Sequence, residues 1–202
     1  PFRGTLRYTV EASRPVRFVF SVRVPAAADS AKLDGQAVTP GTFARLEREW
    51  QGRSEIVLEL NFAPRLVERP RDMRCLWYGP LLYALPVKAR WEKREYTANG
   101  VERKYPYCDY SIWPQSPFNY AFAGTEFVPE ESPVGDCPFS EEGAPMRLAA
   151  TMVQIPWSMQ HGVCAMEPES RAPMAAPEKL RLIPYGCTTL RITEMPMAKI
   201  EA

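Results

Sequence analysis

Residues 180–196 read LRLIPYGCTTLRITEMP. Leu180 and Leu182, then Leu190 and Ile192, recur at spacing two, the period at which side chains leave a strand on one face. Between them Pro184-Tyr185-Gly186 interrupts the run, proline by fixing φ and glycine by admitting a turn or a close backbone approach. The pattern predicts a strand, a turn and a second strand, buried and closing a β-sheet domain.

The rest of the composition points the same way. The chain has 202 residues, 46% of them hydrophobic, enough to fill one large or two small cores. Its 21 prolines are about twice the average usage of roughly 5% and are spread throughout, which suits strand ends, edges and loops and leaves little room for long helices. Working outward, Leu6, Tyr8 and Val10 alternate with polar residues, and Val16, Phe18, Phe20, Val22 and Val24 repeat the pattern after Ser13-Arg14-Pro15. These are expected to be two strands of one antiparallel pair. Asp34-Gly35 predicts a tight hairpin, because both residues tolerate φ > 0. A second pair is expected from Thr42 to Trp50 and Ser54 to Phe62, joined by Gln51-Gly52-Arg53. Arg65 to Val67, Met73 to Tyr78 and Leu81 to Val87 add strands, and Leu81-Leu82-Tyr83-Ala84-Leu85 lacks alternation, as a central strand covered on both faces would.

After Val87 the organisation changes. Trp91 to Lys104 is charged, with Asn99-Gly100 in its middle, and fits either a surface hairpin or a short helix and turn. Tyr105 to Tyr120 is aromatic and proline-rich, Ala123 to Pro145 acidic and loop-like, and Met146 to Ile155 reads as a strand ending at Pro156-Trp157. Pro168 to Pro177 is expected to link into the closing element. The expected fold is all-β, an antiparallel β-sandwich architecture of two packed sandwich or jelly-roll-like domains, residues 1–87 and 88–202, with little helix.

Twenty-five basic and 24 acidic residues leave no field to attract nucleic acid or an anionic membrane. No run of about 18 apolar residues occurs, so no transmembrane helix is expected. The opening Pro1-Phe2-Arg3-Gly4, with neither initiator methionine nor signal peptide, reads as the start of a piece of a longer protein. The five cysteines, at 75, 108, 137, 164 and 187, are widely spaced without a CxxC pair. They read as reduced thiols, mostly buried, rather than a zinc ribbon or disulfide framework. Asn61, Asn99 and Asn119 begin no N-x-Ser/Thr acceptor, which disfavours a glycosylated secreted protein and favours a cytoplasmic one.

Few residues offer chemistry. His161 and Cys164 could be two metal ligands or a Cys-His nucleophile pair, but a zinc site needs about four ligands and no matching half exists; a loop histidine is the simpler reading. The pairs Glu130-Glu131 and Glu141-Glu142 fit solvated loops better than the separated carboxylates of a glycosidase. No P-loop, GxGxxG, GxSxG or HExxH string occurs. The aromatic residues between Tyr105 and Tyr120 could stack on sugar faces, although packing in a core or between domains is the favoured account.

The strings Gly79-Pro80-Leu81-Leu82-Tyr83-Ala84-Leu85, Trp113 to Tyr120 (WPQSPFNY) and Leu182 to Pro196 resemble the C-terminal part of glycoside hydrolase family 127, the β-L-arabinofuranosidase family. The resemblance runs from Phe2-Arg3-Gly4-Thr5 to Met195-Pro196. It implies β-sandwich domains that follow an N-terminal (α/α)6 barrel, where the family holds a cysteine nucleophile and a zinc ion bound by cysteines and a glutamate. None of the barrel's motifs is in this chain, so it implies no catalytic residue, metal ligand or cofactor here. The expected function is a non-catalytic region supporting that barrel; the alternative is a carbohydrate-binding module for arabinose-containing glycans. Trp113, Phe118, Tyr120 and Trp157 are the candidate contacts to sugar or to another domain. The expected partners are the N-terminal catalytic barrel, then carbohydrate or a second copy in a homo-oligomer, with no nucleic acid and no membrane.

Overall fold

Alternating side chains in long runs, punctuated by proline, leave strands as the only extended element the chain can build. A computed structural model describes residues 1–200. In chain order the strands are β1 (Thr5–Arg23), β2 (Ser30–Leu33), β3 (Gln36–Val38), β4 (Phe43–Asn61), β5 (Pro64–Arg69), β6 (Met73–Tyr78), β7 (Leu81–Pro86), β8 (Ala89–Arg94), β9 (Tyr96–Ala98), β10 (Val101–Arg103), β11 (Asp109–Pro114), β12 (Tyr120–Glu131), β13 (Met146–Gln154), β14 (Met159–Gln160), β15 (Val163–Cys164), β16 (Glu178–Pro184), β17 (Arg191–Ile192) and β18 (Glu194–Pro196). The only helical pieces among the described residues are 3-10 turns at Pro70–Asp72 and Tyr185–Cys187. The fold is therefore all-β and, in its strand pairings, antiparallel. The chain forms two compact units, Pro1–Arg65 with Leu76–Leu82, and Leu66–Cys75 with Tyr83–Ala202.

In the first unit the strand order is β1-β4-β2-β3. The pairing of β1 with β4 runs from Thr5↔Glu59 to Ala12↔Gly52, slips, and resumes from Val16↔Trp50 to Arg23↔Phe43. Ser13-Arg14-Pro15 thus oppose Gln51 alone, a bulge beside Gly52, whose φ of 63° suits glycine. A straight strand would hold Tyr8 and Phe20 about 40 Å apart at about 3.3 Å per residue. Their ring centroids are 5.3 Å apart, so the ribbon folds back on itself at the bulge. Its two halves enclose Val22, Ala44, Trp50, Ile56, Leu58 and Leu60, while Arg7–Glu55 and Arg17–Glu47 pair on the wet side.

This corrects the expectation of two hairpins turning at Ser13-Arg14-Pro15 and Gln51-Gly52-Arg53. Both breaks are present, but they face each other in one bent ribbon, and the halves of β1 pack face to face instead of hydrogen-bonding. Asp34-Gly35 does turn the β2–β3 hairpin, at φ 48° and 78°. Asp34 is further tied to β4, since its Oδ1 accepts from the Val57 N–H at 2.9 Å.

The second unit is organised on an eight-stranded sheet of order β12-β13-β16-β7-β6-β18, with β17 on β7 and β5 on β6. Residues 180–196 supply most of β16 and all of β17 and β18. β16 pairs with β13 (Leu182↔Leu148) and with β7 (Ile183↔Ala84), β17 with β7 (Ile192↔Leu85), and β18 with β6 (Met195↔Arg74). Just beyond β18, Met197 bridges Phe122 of β12, and the Ala198 N–H donates to the Phe122 carbonyl at 2.9 Å. The two ends of the row meet there, so the sheet rolls shut and hides its edges. Phe122, Leu148, Met152, Ile155, Leu182 and Met195 are fully buried inside. Tyr83 and Ala84, both at 0% exposure, give β7 the central place its unbroken apolar run implied.

Asn99-Gly100 (φ 52° and 75°) turns a β9–β10 hairpin, so the segment around it is not helical. Ala123 to Pro145 is not all loop, because β12 continues to Glu131 after a bulge between Phe122 and Phe127. Beyond the bulge most of its side chains are open to solvent, so backbone bonds to β13 hold a strand that no apolar alternation marks.

Candidate functional site

The four candidate aromatic residues lie in the second unit and do not form one cluster. Trp113 stands on β11, opposite Arg90 of β8 in a two-stranded ribbon. Its ring is 45% exposed and its Nε1–H donates to Glu92 Oε2 at 3.0 Å, with Arg90 ion-paired to the same carboxylate group. Phe118 is half-buried in the wall of a cavity. Tyr120 is 6% exposed; its hydroxyl donates to Glu178 Oε1 at 2.8 Å and accepts from Gln154 Nε2 at 3.3 Å. Burial first, and then the Glu178 carboxylate, push its phenol above the ordinary tyrosine range. Trp157, also 6% exposed, donates from Nε1 to the Ala165 carbonyl at 2.8 Å. Pro156 follows the end of the strand, the ring turns inward, and Trp157 lies in the interior. Trp113 is therefore exposed and Phe118 half-buried at a cavity, whereas Tyr120 and Trp157 are buried.

Phe118 borders a mostly apolar cavity of about 260 Å³, lined also by Val87, Ile112, Val163, Leu190 and Arg191. A second cavity, of about 300 Å³, lies against Arg71, Trp157, Met166 and Glu194, and Cys164, Arg191 and Ile192 line both. Arg191 is half-buried between them. Its Nη1 donates to the carbonyls of Thr188 and Thr189, and its guanidinium carbon lies 3.5 Å from the Tyr185 ring centroid. Among the described residues no carboxylate lies within ion-pair reach of Arg191. Sequence reading missed this residue because, between Leu190 and Ile192, it looks like the solvent-facing member of an alternating strand. The rim of the second cavity carries two consecutive residues at positive φ, Arg71 (62°) and Asp72 (54°). Hydrogen bonds from Arg171 and Arg74 hold Asp72 there and draw its carboxyl below the usual range.

His161 (φ 53°) and Gly162 (φ 81°) turn the β14–β15 hairpin, and burial pushes the Cys164 thiol upward, away from a reactive thiolate. The described residues hold no group of three or more His, Cys, Asp or Glu side chains that could bind a metal ion. The zinc set that the resemblance assigns to the barrel therefore does not fit this chain. All five cysteines are free. Cys137 is exposed, while Cys75 and Cys187 are buried with thiols raised chiefly by desolvation. With Ellman's reagent at pH 8, Cys137 is expected to react at least about tenfold faster than Cys75 or Cys187; equal rates would contradict the burial.

No family model and no curated protein matches the sequence. Solved structures do match in fold. A glycoside hydrolase aligns at TM-score 0.58 and 20% identity over 98% of this chain and 31% of its own. A GH127 β-L-arabinofuranosidase from Geobacillus stearothermophilus T6 aligns at TM-score 0.56 and 16% identity over 98% and 29%. A GH127 β-arabinofuranosidase is also similar, at TM-score 0.47 and 12% identity over 98% and 30%.

Proposed function

We propose that this chain, whose fold recurs almost whole inside larger glycoside hydrolases, is part of such an enzyme. It is the non-catalytic C-terminal β-sandwich region of a family 127 glycoside hydrolase, supporting an N-terminal catalytic barrel. The observation that carries this is the disproportion in coverage: 98% of this chain corresponds to 31% and 29% of the two better matches. The short strings around Gly79 to Leu85 and Leu182 to Pro196 support it, because they form the central and closing strands of the sheet. On this reading the catalytic part made without these residues melts at lower temperature or aggregates, and adding the 202-residue chain in trans restores it. An equally stable, equally active catalytic part without the chain would rule out the supporting role.

One observation favours a second reading, binding of arabinose-containing glycans. The exposed Trp113 indole is held at its edge by Glu92, with Arg90 beside it, a flat apolar face rimmed by groups that can bond sugar hydroxyls. Calorimetric titration with arabino-oligosaccharides is expected to give binding that Trp113→Ala abolishes if this reading holds. No heat with either protein leaves the supporting role alone.

A further inference from the structure

We infer that the apolar cleft beside Arg191 is a docking groove for a segment of the catalytic part, and that this segment brings an apolar side chain and an adjacent carboxylate. The inference rests on the supporting role proposed above and names the surface that performs it. In the β8–β11 ribbon, Ile112 lies opposite Trp91, so both leave the same face, while Trp113 and Arg90 leave the other. Ile112 lines the 260 Å³ cavity, and Trp91, 52% exposed, meets Tyr110 edge-on at 5.8 Å. The same cavity is lined by Met159 and Val163 of the β14–β15 hairpin, 40% and 65% exposed. The cavity is thus the deep part of a longer apolar surface, and a surface of that kind marks a protein contact.

Charge selects the occupant. Arg191 stands in the wall with carbonyls and a ring as its neighbours and no carboxylate among the described residues. Covering it with a purely apolar segment would desolvate an unpaired cation, which is costly; a carboxylate against its free edge offsets that cost. A saccharide would find few hydrogen-bonding groups among Val87, Ile112, Phe118 and Leu190. A segment of the same polypeptide fits, because each matched structure holds more than twice as much chain outside the matched region as within it.

The test compares thiol labelling in the 202-residue chain and in the full polypeptide, read peptide by peptide by mass spectrometry. Val163→Cys, at an exposed position, is expected to label rapidly with maleimide in the isolated chain and at least about tenfold more slowly in the full polypeptide. Trp113→Cys, on the other ribbon face, labels alike in both. Adding Arg191→Met raises the Val163→Cys rate at least about tenfold in the full polypeptide only, an effect that a general loss of stability would not confine to that form. Equal Val163→Cys labelling in both forms overturns the inference and leaves the supporting role standing. Protection in the isolated chain that disappears on dilution also overturns it, by making a second copy the occupant. A full polypeptide without a catalytic barrel defeats the functional reading itself.

Discussion

Trp157→Ala is expected to lower the unfolding free energy by about 3–5 kcal/mol, the range for truncating a large aromatic residue in a packed interior. The ring is 6% exposed and its Nε1–H is the partner of the Ala165 carbonyl, so the substitution opens a void and removes a buried hydrogen bond. Urea titration followed by near-UV circular dichroism checks this. A loss under about 1 kcal/mol would mean that the ring is a surface contact. The companion change Trp113→Ala, at a 45% exposed position, is expected to cost under about 1 kcal/mol.

Trp50→Ala is expected to cost the first unit a similar 3–5 kcal/mol. Trp50 is fully buried where the two halves of the bent ribbon meet. It stacks on Phe18 at 5.2 Å, donates from Nε1 to the Phe18 carbonyl at 3.0 Å, and carries the Arg48 guanidinium 4.3 Å above its ring. Trp50→Phe keeps much of the volume and should cost about 1–3 kcal/mol, largely the unsatisfied carbonyl. If alanine and phenylalanine proved equally mild by urea titration, the ribbon would not depend on closing around this ring.

What the sequence made legible follows from the range of each signal. Asp34-Gly35 and Asn99-Gly100 form the hairpins their dipeptides predict, because tolerance of φ > 0 is a property of the residues themselves. The apolar run at Leu81 to Leu85 marks a strand covered on both faces, since burial acts residue by residue. The bend of β1 and β4 was half legible. Ser13-Arg14-Pro15 and Gly52 mark breaks, yet nothing local says whether the flanking strands pair with each other or fold over each other. β12 beyond Phe127 was hidden for the opposite reason, its pairing being carried by backbone groups that leave no trace in side-chain pattern. Trp157 and Arg191 were obscured at the level of the site: the indole's partner is the Ala165 carbonyl just past the β14–β15 hairpin, and Arg191, between Leu190 and Ile192, has the place of a solvent-facing residue in an alternating strand.

The most direct test of the proposed role is the activity of the isolated chain. On a chromogenic β-L-arabinofuranoside, no hydrolysis above buffer is expected of the purified 202-residue chain, and turnover is expected of the full polypeptide that contains it. Hydrolysis by the isolated chain that persists through repurification would contradict the account, because it would require a catalytic centre within these residues.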